Sequence, residues 1–192
     1  MKHHDAKMTD QLAFFAAFVK HPLQVGSIIP SSQFLLRRIV AAAGIGSATT
    51  IVELGPGNGG STRAILRAAP AHTRLLSVEV NPRLHALVQG IGDKRLIAHR
   101  GDACRLKDIL AQYGLGAPDV VISGIPFSTM SVSSGSQLLE EISSLLAPGG
   151  RFVAYQVSTR VATLARPFMG TEHMELELFN IPPMRVYRWE KR

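Results

Sequence analysis

From Thr50 onward, short apolar runs rich in valine and isoleucine alternate with longer stretches of helical period. That is the spacing of strands and crossover helices in a parallel sheet. Strands are predicted at Thr50–Leu54, Leu75–Val80, Leu96–His99, Asp119–Ser123 and Arg151–Val157, and helices at Ser61–Ala69, Pro82–Gln89, Arg105–Tyr113 and Gly135–Leu146. Pro148-Gly149-Gly150 stops the last helix. The tail then changes character. Leu176 and Leu178 alternate with Glu175 and Glu177, Asn180-Ile181-Pro182-Pro183 reverses the chain, and Met184–Glu190 alternates again. This predicts an antiparallel hairpin with one wet face, completing an α/β fold whose sheet is otherwise parallel.

Ahead of that domain the period is helical. Met8, Leu12, Phe15 and Val19 fall on one stripe, widened by Phe14 and Phe18, with Lys7, Lys20 and His21 at its ends. Such a helix either lies in a lipid interface or packs on the domain's own core. Its longest apolar run, Leu12–Val19, is too short to cross a bilayer, which takes ~20 residues. Ser31 and Ser32 open another apolar helix, as caps or as the lip of an anion site. The chain therefore divides into an amphipathic segment, residues 1–38, expected as membrane anchor or lid, and an α/β domain, residues 39–192.

Charge changes the picture only when it is divided along the chain. The net charge of +7 is +3 over residues 1–38, +1 over residues 39–150 and +3 over residues 151–192. A basic rim around a nearly neutral middle suits an anionic membrane surface or nucleic acid, though solubility alone also explains it. A single cysteine, Cys104, rules out an internal disulfide, and a cytoplasmic setting is expected.

The strongest local signal is Ile51-Val52-Glu53-Leu54-Gly55-Pro56-Gly57-Asn58-Gly59-Gly60, a buried strand entering a glycine turn and then a helix. Gly55, Gly57 and Gly59 let a ligand approach the backbone. Gly55, Gly57 and Gly60 also satisfy a dinucleotide fingerprint, with Glu79 near the place of a ribose-binding carboxylate. Glu53, two residues before the first glycine, would repel a pyrophosphate and attract a cation. S-adenosylmethionine, which carries a sulfonium and an ammonium group, is thus the expected cofactor. Glu79 would accept from the ribose hydroxyls and Asp102 from the adenine amine, and Ser123 ends the next strand on the same crevice.

These residues make the chain resemble the class I S-adenosylmethionine-dependent methyltransferases. The resemblance implies a Rossmann-like, mostly parallel seven-stranded sheet with a C-terminal antiparallel hairpin and helices on both faces. Ser123-Gly124-Ile125-Pro126-Phe127 is similar to the Asn-Leu-Pro-aromatic segment of RNA adenine dimethyltransferases, with Gly124 in place of the asparagine that orients the base amine. The Phe-rich helix before His21-Pro22, the stretch Val25-Gly26-Ser27-Ile28-Ile29-Pro30-Ser31-Ser32 and Pro182-Pro183 leading into Arg185 resemble the bacterial phospholipid N-methyltransferases of the soluble, membrane-associating type.

That second resemblance implies stepwise N-methylation of phosphatidylethanolamine towards phosphatidylcholine, with S-adenosylhomocysteine as by-product. It also implies a cytoplasmic enzyme peripheral on the inner face of the cell membrane, with an anionic surface as partner and no nucleic acid. Phe127 would face the amine or sulfonium with its π-cloud, or else sit in the core. Tyr155, Tyr187 or His99 would take or relay the amine's proton. Lys20, Ser31, Ser32, Arg185 and Arg188 would hold the lipid phosphate. An RNA adenine methyltransferase and a non-catalytic membrane-binding module are the competing readings.

Overall fold

Every strand predicted from the apolar runs forms, with ends within a residue or two of expectation. The computed structural model describes residues 31–192; the Phe-rich stretch and Lys20 lie outside the described residues. Strands β1 (Thr50–Leu54), β2 (Arg74–Glu79), β3 (Leu96–Arg100), β4 (Val120–Ser123), β5 (Arg151–Gln156), β6 (His173–Glu177) and β7 (Met184–Glu190) make one sheet in the order β3-β2-β1-β4-β5-β7-β6. The first five run parallel. β7 enters antiparallel between β5 and β6. The order reverses between β1 and β4, and sheets of this kind hold ligands beyond the carboxyl ends of the strands at such a point.

Helices α1 (Gln33–Ala43), α2 (Gly60–Ala68), α3 (Pro82–Gln89), α4 (Leu106–Gln112), α5 (Val132–Leu145) and α6 (Arg160–Met169) connect or flank these strands. They cover both faces because the strands alternate between two apolar clusters. Ile51, Leu75, Ile122, Val153 and Val186 meet Leu35 and Ile39 of α1 and Ile65 of α2. Val52, Leu76, Val121, Phe152 and Trp189 meet Leu106, Leu138, Ile142 and Leu164 from α4, α5 and α6. Burial of such side chains contributes about 2 kcal/mol each, which commits both faces to the core.

Two details depart from expectation. Helix α1 runs across the boundary expected at 38/39, with Leu35, Leu36 and Ile39 in the core, and the compact unit begins at Ser31. Helix α6 had no counterpart in the sequence pattern. Pro167 stands in its last turn and removes one hydrogen bond of the ladder, yet Val161, Ala162, Leu164 and Ala165 are buried and Gly170 ends it with a positive φ.

Candidate active site

The carboxyl end of β1 runs into a turn in which Gly55, Gly57 and Gly59 all hold positive φ, at 72°, 58° and 81°. An L side chain is strained there. Gly55 is also crowded, since a Cβ on it would lie 3.1 Å from the Ile125 side chain. This compact turn delivers the start of α2, whose Ser61 and Thr62 are both buried, against the end of β1.

Glu53 lies beneath the turn and is 0% exposed. Its Oε2 accepts from the Thr62 hydroxyl at 2.6 Å and the Ser77 hydroxyl at 2.8 Å. Ser77 faces it because parallel pairing sets Glu53 opposite Ser77. Oε1 is buried with no partner among the described residues. An unpartnered buried carboxylate oxygen is costly unless a ligand donates to it. Burial raises the Glu53 pKa above the ordinary carboxylate range, the neighbouring hydroxyls oppose that shift, and the charge of Glu79 adds to it.

Glu79, at the end of β2 and also buried, accepts at Oε1 from the Asn81 backbone at 2.9 Å and at Oε2 from the Gly57 backbone at 3.3 Å. Asn81 in turn caps α3 through its side chain. Val80, just past the strand, is 70% exposed on the rim. Two acids within electrostatic reach of each other beside a glycine turn suit a cationic ligand and repel a phosphate. The residues present therefore fit S-adenosylmethionine, with Glu53 Oε1 free for a cationic group and Glu79 held in one orientation.

The other expected residues divide. Asp102 is exposed at the end of β3 and its Oδ1 caps the short turn Ala103–Arg105 through the Cys104 N–H at 2.9 Å, so the structure gives it a local role. Ser123 is fully buried, and its hydroxyl accepts from its own loop at Ile125 N, 3.3 Å away. It pairs with Leu54 on the face opposite Glu53, so it is corrected from cofactor ligand to turn residue. Phe127 is 0% exposed in the core on that same opposite face; its ring is a packing element and not an open π-surface. Tyr187 belongs there too, 2% exposed and stacked on Trp189. It is removed from the site.

Tyr155 is the one member of the expected catalytic trio on the face of Glu53, reaching from β5 towards Glu53 and Glu79. Burial and those two acids push its hydroxyl far above the usual phenol range, so it stays protonated and cannot serve as the base. His99 points the other way, with Nδ1 3.1 Å from the Tyr113 hydroxyl. Burial lowers its pKa, and His85 and Arg105 lower it further; the ring lies outside the site.

Among the expected phosphate ligands, Ser32 caps α1, accepting from Leu35 N at 3.1 Å, while its own N–H donates to Asn180 at 2.9 Å. The capping alternative holds for it, and Ser31 precedes it, half-buried. Arg185, opposite Gln156 at the site end of the sheet, is tied to the Val157 carbonyl. Arg188 pairs with Val153 in mid-sheet, ~10 Å further from the crevice, and is removed from the site.

Sequence reasoning missed Gln156. Buried at the end of β5, it donates to Ile125 O at 2.5 Å and accepts from Phe127 N at 3.3 Å, bracing the loop after β4. It missed Ser61, Thr62 and Ser77 as well. The parallel register of β1 and β2 would have found Ser77.

No family model matches the chain. It is 29% identical over 183 residues to an ornithine lipid N-methyltransferase of Singulisphaera acidiphila, a match covering 94% of this chain and 95% of that one. To a ribosomal RNA small subunit methyltransferase A of Gloeobacter violaceus it is 34% identical over 137 residues, covering 70% of this chain and 43% of that one. The chain thus spans less than half of that RNA enzyme and nearly all of the lipid enzyme. Among solved structures, the N-methyltransferase NodS of Bradyrhizobium japonicum superposes with a TM-score of 0.67 at 13% identity, covering 82% of this chain and 94% of that one.

Proposed function

We propose that the chain is a class I S-adenosylmethionine-dependent methyltransferase, a reading its fold and its similarity to a lipid N-methyltransferase support, and that it N-methylates the primary amine of a membrane lipid headgroup. Phosphatidylethanolamine is the first substrate to test and ornithine lipid the second. The observation that carries this reading is the end-to-end similarity to a lipid N-methyltransferase, set against partial similarity to RNA enzymes. Support comes also from the tip of the β6–β7 hairpin, where Leu178, Phe179 and Ile181 are exposed beside Phe34 at the site end of the sheet. Apolar side chains grouped there suit an acceptor that arrives from a bilayer.

When bound, the cofactor supplies a methyl carbon on a sulfonium, which passes to a nitrogen lone pair while sulfur keeps the electrons of the broken bond. The chain's own contribution is to hold and orient. Glu53 presents its free carboxyl oxygen to a cationic group, Glu79 offers oxygens already aligned by Gly57 and Asn81, and the glycine turn admits close approach. The acceptor must arrive as the free amine, and Tyr155, held protonated, does not take its proton.

Incubation with labelled S-adenosylmethionine and vesicles of phosphatidylglycerol mixed with phosphatidylethanolamine or ornithine lipid, followed by thin-layer separation, tests the reading. Label in the lipid spot is expected. Label in ribosomal RNA and none in either lipid would overturn it.

A further inference from the structure

Gly124 sits just past β4, donating its N–H to Leu54 O at 2.8 Å. Its φ is not positive, so backbone conformation does not demand glycine there. Space does. A Cβ on Gly124 would lie 2.8 Å from the Gly55 carbonyl oxygen and 2.8 Å from Tyr155 Cζ, and closer still to the Tyr155 hydroxyl. The hydroxyl of Tyr155, arriving from the neighbouring strand, thus occupies the place where a side chain at 124 would begin. Ser61 lies beside both that hydroxyl and the Glu53 carboxyl.

From this arrangement, and resting on the reading of the chain as a lipid-amine methyltransferase, we infer that the Gly124–Tyr155 pair selects the acceptor, with the Tyr155 hydroxyl oxygen receiving an N–H of the incoming amine. A phenol has one proton and two lone pairs. Were its proton given to a neighbouring oxygen such as that of Ser61, a lone pair would be left for an N–H in the crevice between β1 and β4. Holding the amine by one N–H turns the nitrogen lone pair away from Tyr155. The free primary amine offers two N–H groups, the monomethyl amine one, and the dimethyl amine none. Tyr155 therefore assists the first two transfers and has nothing to hold in a third.

Tyr155→Phe keeps the ring and removes the hydroxyl, so it separates this role from packing. With vesicles of phosphatidylglycerol carrying phosphatidylethanolamine, its monomethyl or its dimethyl derivative, kcat/KM should fall about fivefold to tenfold for the first two, the worth of one neutral hydrogen bond. For the dimethyl lipid it should hold at the wild-type value, as should S-adenosylhomocysteine affinity by calorimetry. Equal losses on all three lipids, or no loss on any, would overturn the inference. Wild-type protein that labels no lipid would instead overturn the functional reading beneath it. The juxtaposition has its own test: Gly124→Ala should lower the melting temperature in both backgrounds, since the Gly55 carbonyl oxygen stays 2.8 Å from the new Cβ, but by less in a Tyr155→Ala background. Equal shifts in both would show that the two residues do not compete for one space.

Discussion

At the scale of single residues, Glu53 carries opposite consequences for stability and for binding. Its pKa is raised in the fold, so the proton is bound more tightly by the native than by the unfolded chain. The stability it contributes is complete below the ordinary carboxylate range and is lost as pH climbs through its raised value. Glu53→Gln keeps an oxygen for Thr62 and Ser77 and puts an amide N–H₂ where Oε1 now stands. The variant should melt no lower than wild type at neutral pH, with a flatter pH dependence across that window. Affinity for S-adenosylmethionine, followed by calorimetry, should nevertheless fall about tenfold or more, the scale of one charge-assisted hydrogen bond. Asp102 and Ser123 show how polar residues at strand ends also serve their own turns. Each is a polar residue at a strand end, and each is occupied by the N–H of a residue two positions on.

At the scale of elements, the loop after β4 and the packing of α1 both depend on side chains borrowed from elsewhere. Gln156 closes the loop from β5 with two hydrogen bonds, one of them to the buried Phe127 N–H. Gln156→Leu would leave those groups unsatisfied at a cost of about 1–3 kcal/mol, visible in urea unfolding together with faster hydrogen exchange at Phe127. Arg38 of α1 pairs with Glu177 at 2.8 Å and also with Glu175, both on β6. It holds both carboxyls below their usual range. That stability is present above the ordinary carboxylate range and lost as pH falls through the lowered values. Arg38→Ala should therefore melt below wild type at neutral pH and converge with it in acid, in a pH series of thermal scans.

The parallel strands were legible because each is a short run dominated by valine, isoleucine, leucine or phenylalanine between turn residues, and the hairpin because its alternation survives on an edge. Helix α6 was hidden by Pro167, which marks an interruption in sequence but occupies only the last turn in space. The link between Gly124 and Tyr155 was hidden for another reason. It exists only across the register of two strands, and Gly124 alone signals just the lack of a side chain. Glu53 and Glu79 could be read from the sequence since a strand end beside a glycine turn leaves few places for a carboxylate.

At the scale of the whole molecule, charge and apolar surface suggest how the acceptor is reached. The described residues include no helix long and apolar enough to cross a membrane. Docking by the stretch around Phe14, Phe15 and Phe18 is our proposal, resting on its helical stripe and flanking lysines. Phe15→Asp with Phe18→Asp should weaken cosedimentation with phosphatidylglycerol vesicles about tenfold or more, while S-adenosylhomocysteine affinity stays at the wild-type value. Retained cosedimentation would move the contact elsewhere on the protein.

The placement of β7 also bears on how the protein is made. Between β5 and β6 it is the piece to which both are bonded, and it is the last of the described strands to be made. While a ribosome is still adding residues up to Glu190, the flank of Arg151–Gln156 has no neighbour and stands open to pairing with other chains. A nascent molecule stalled short of that point should be a client for holding chaperones, whereas the finished one folds the vulnerable flank into its own interior.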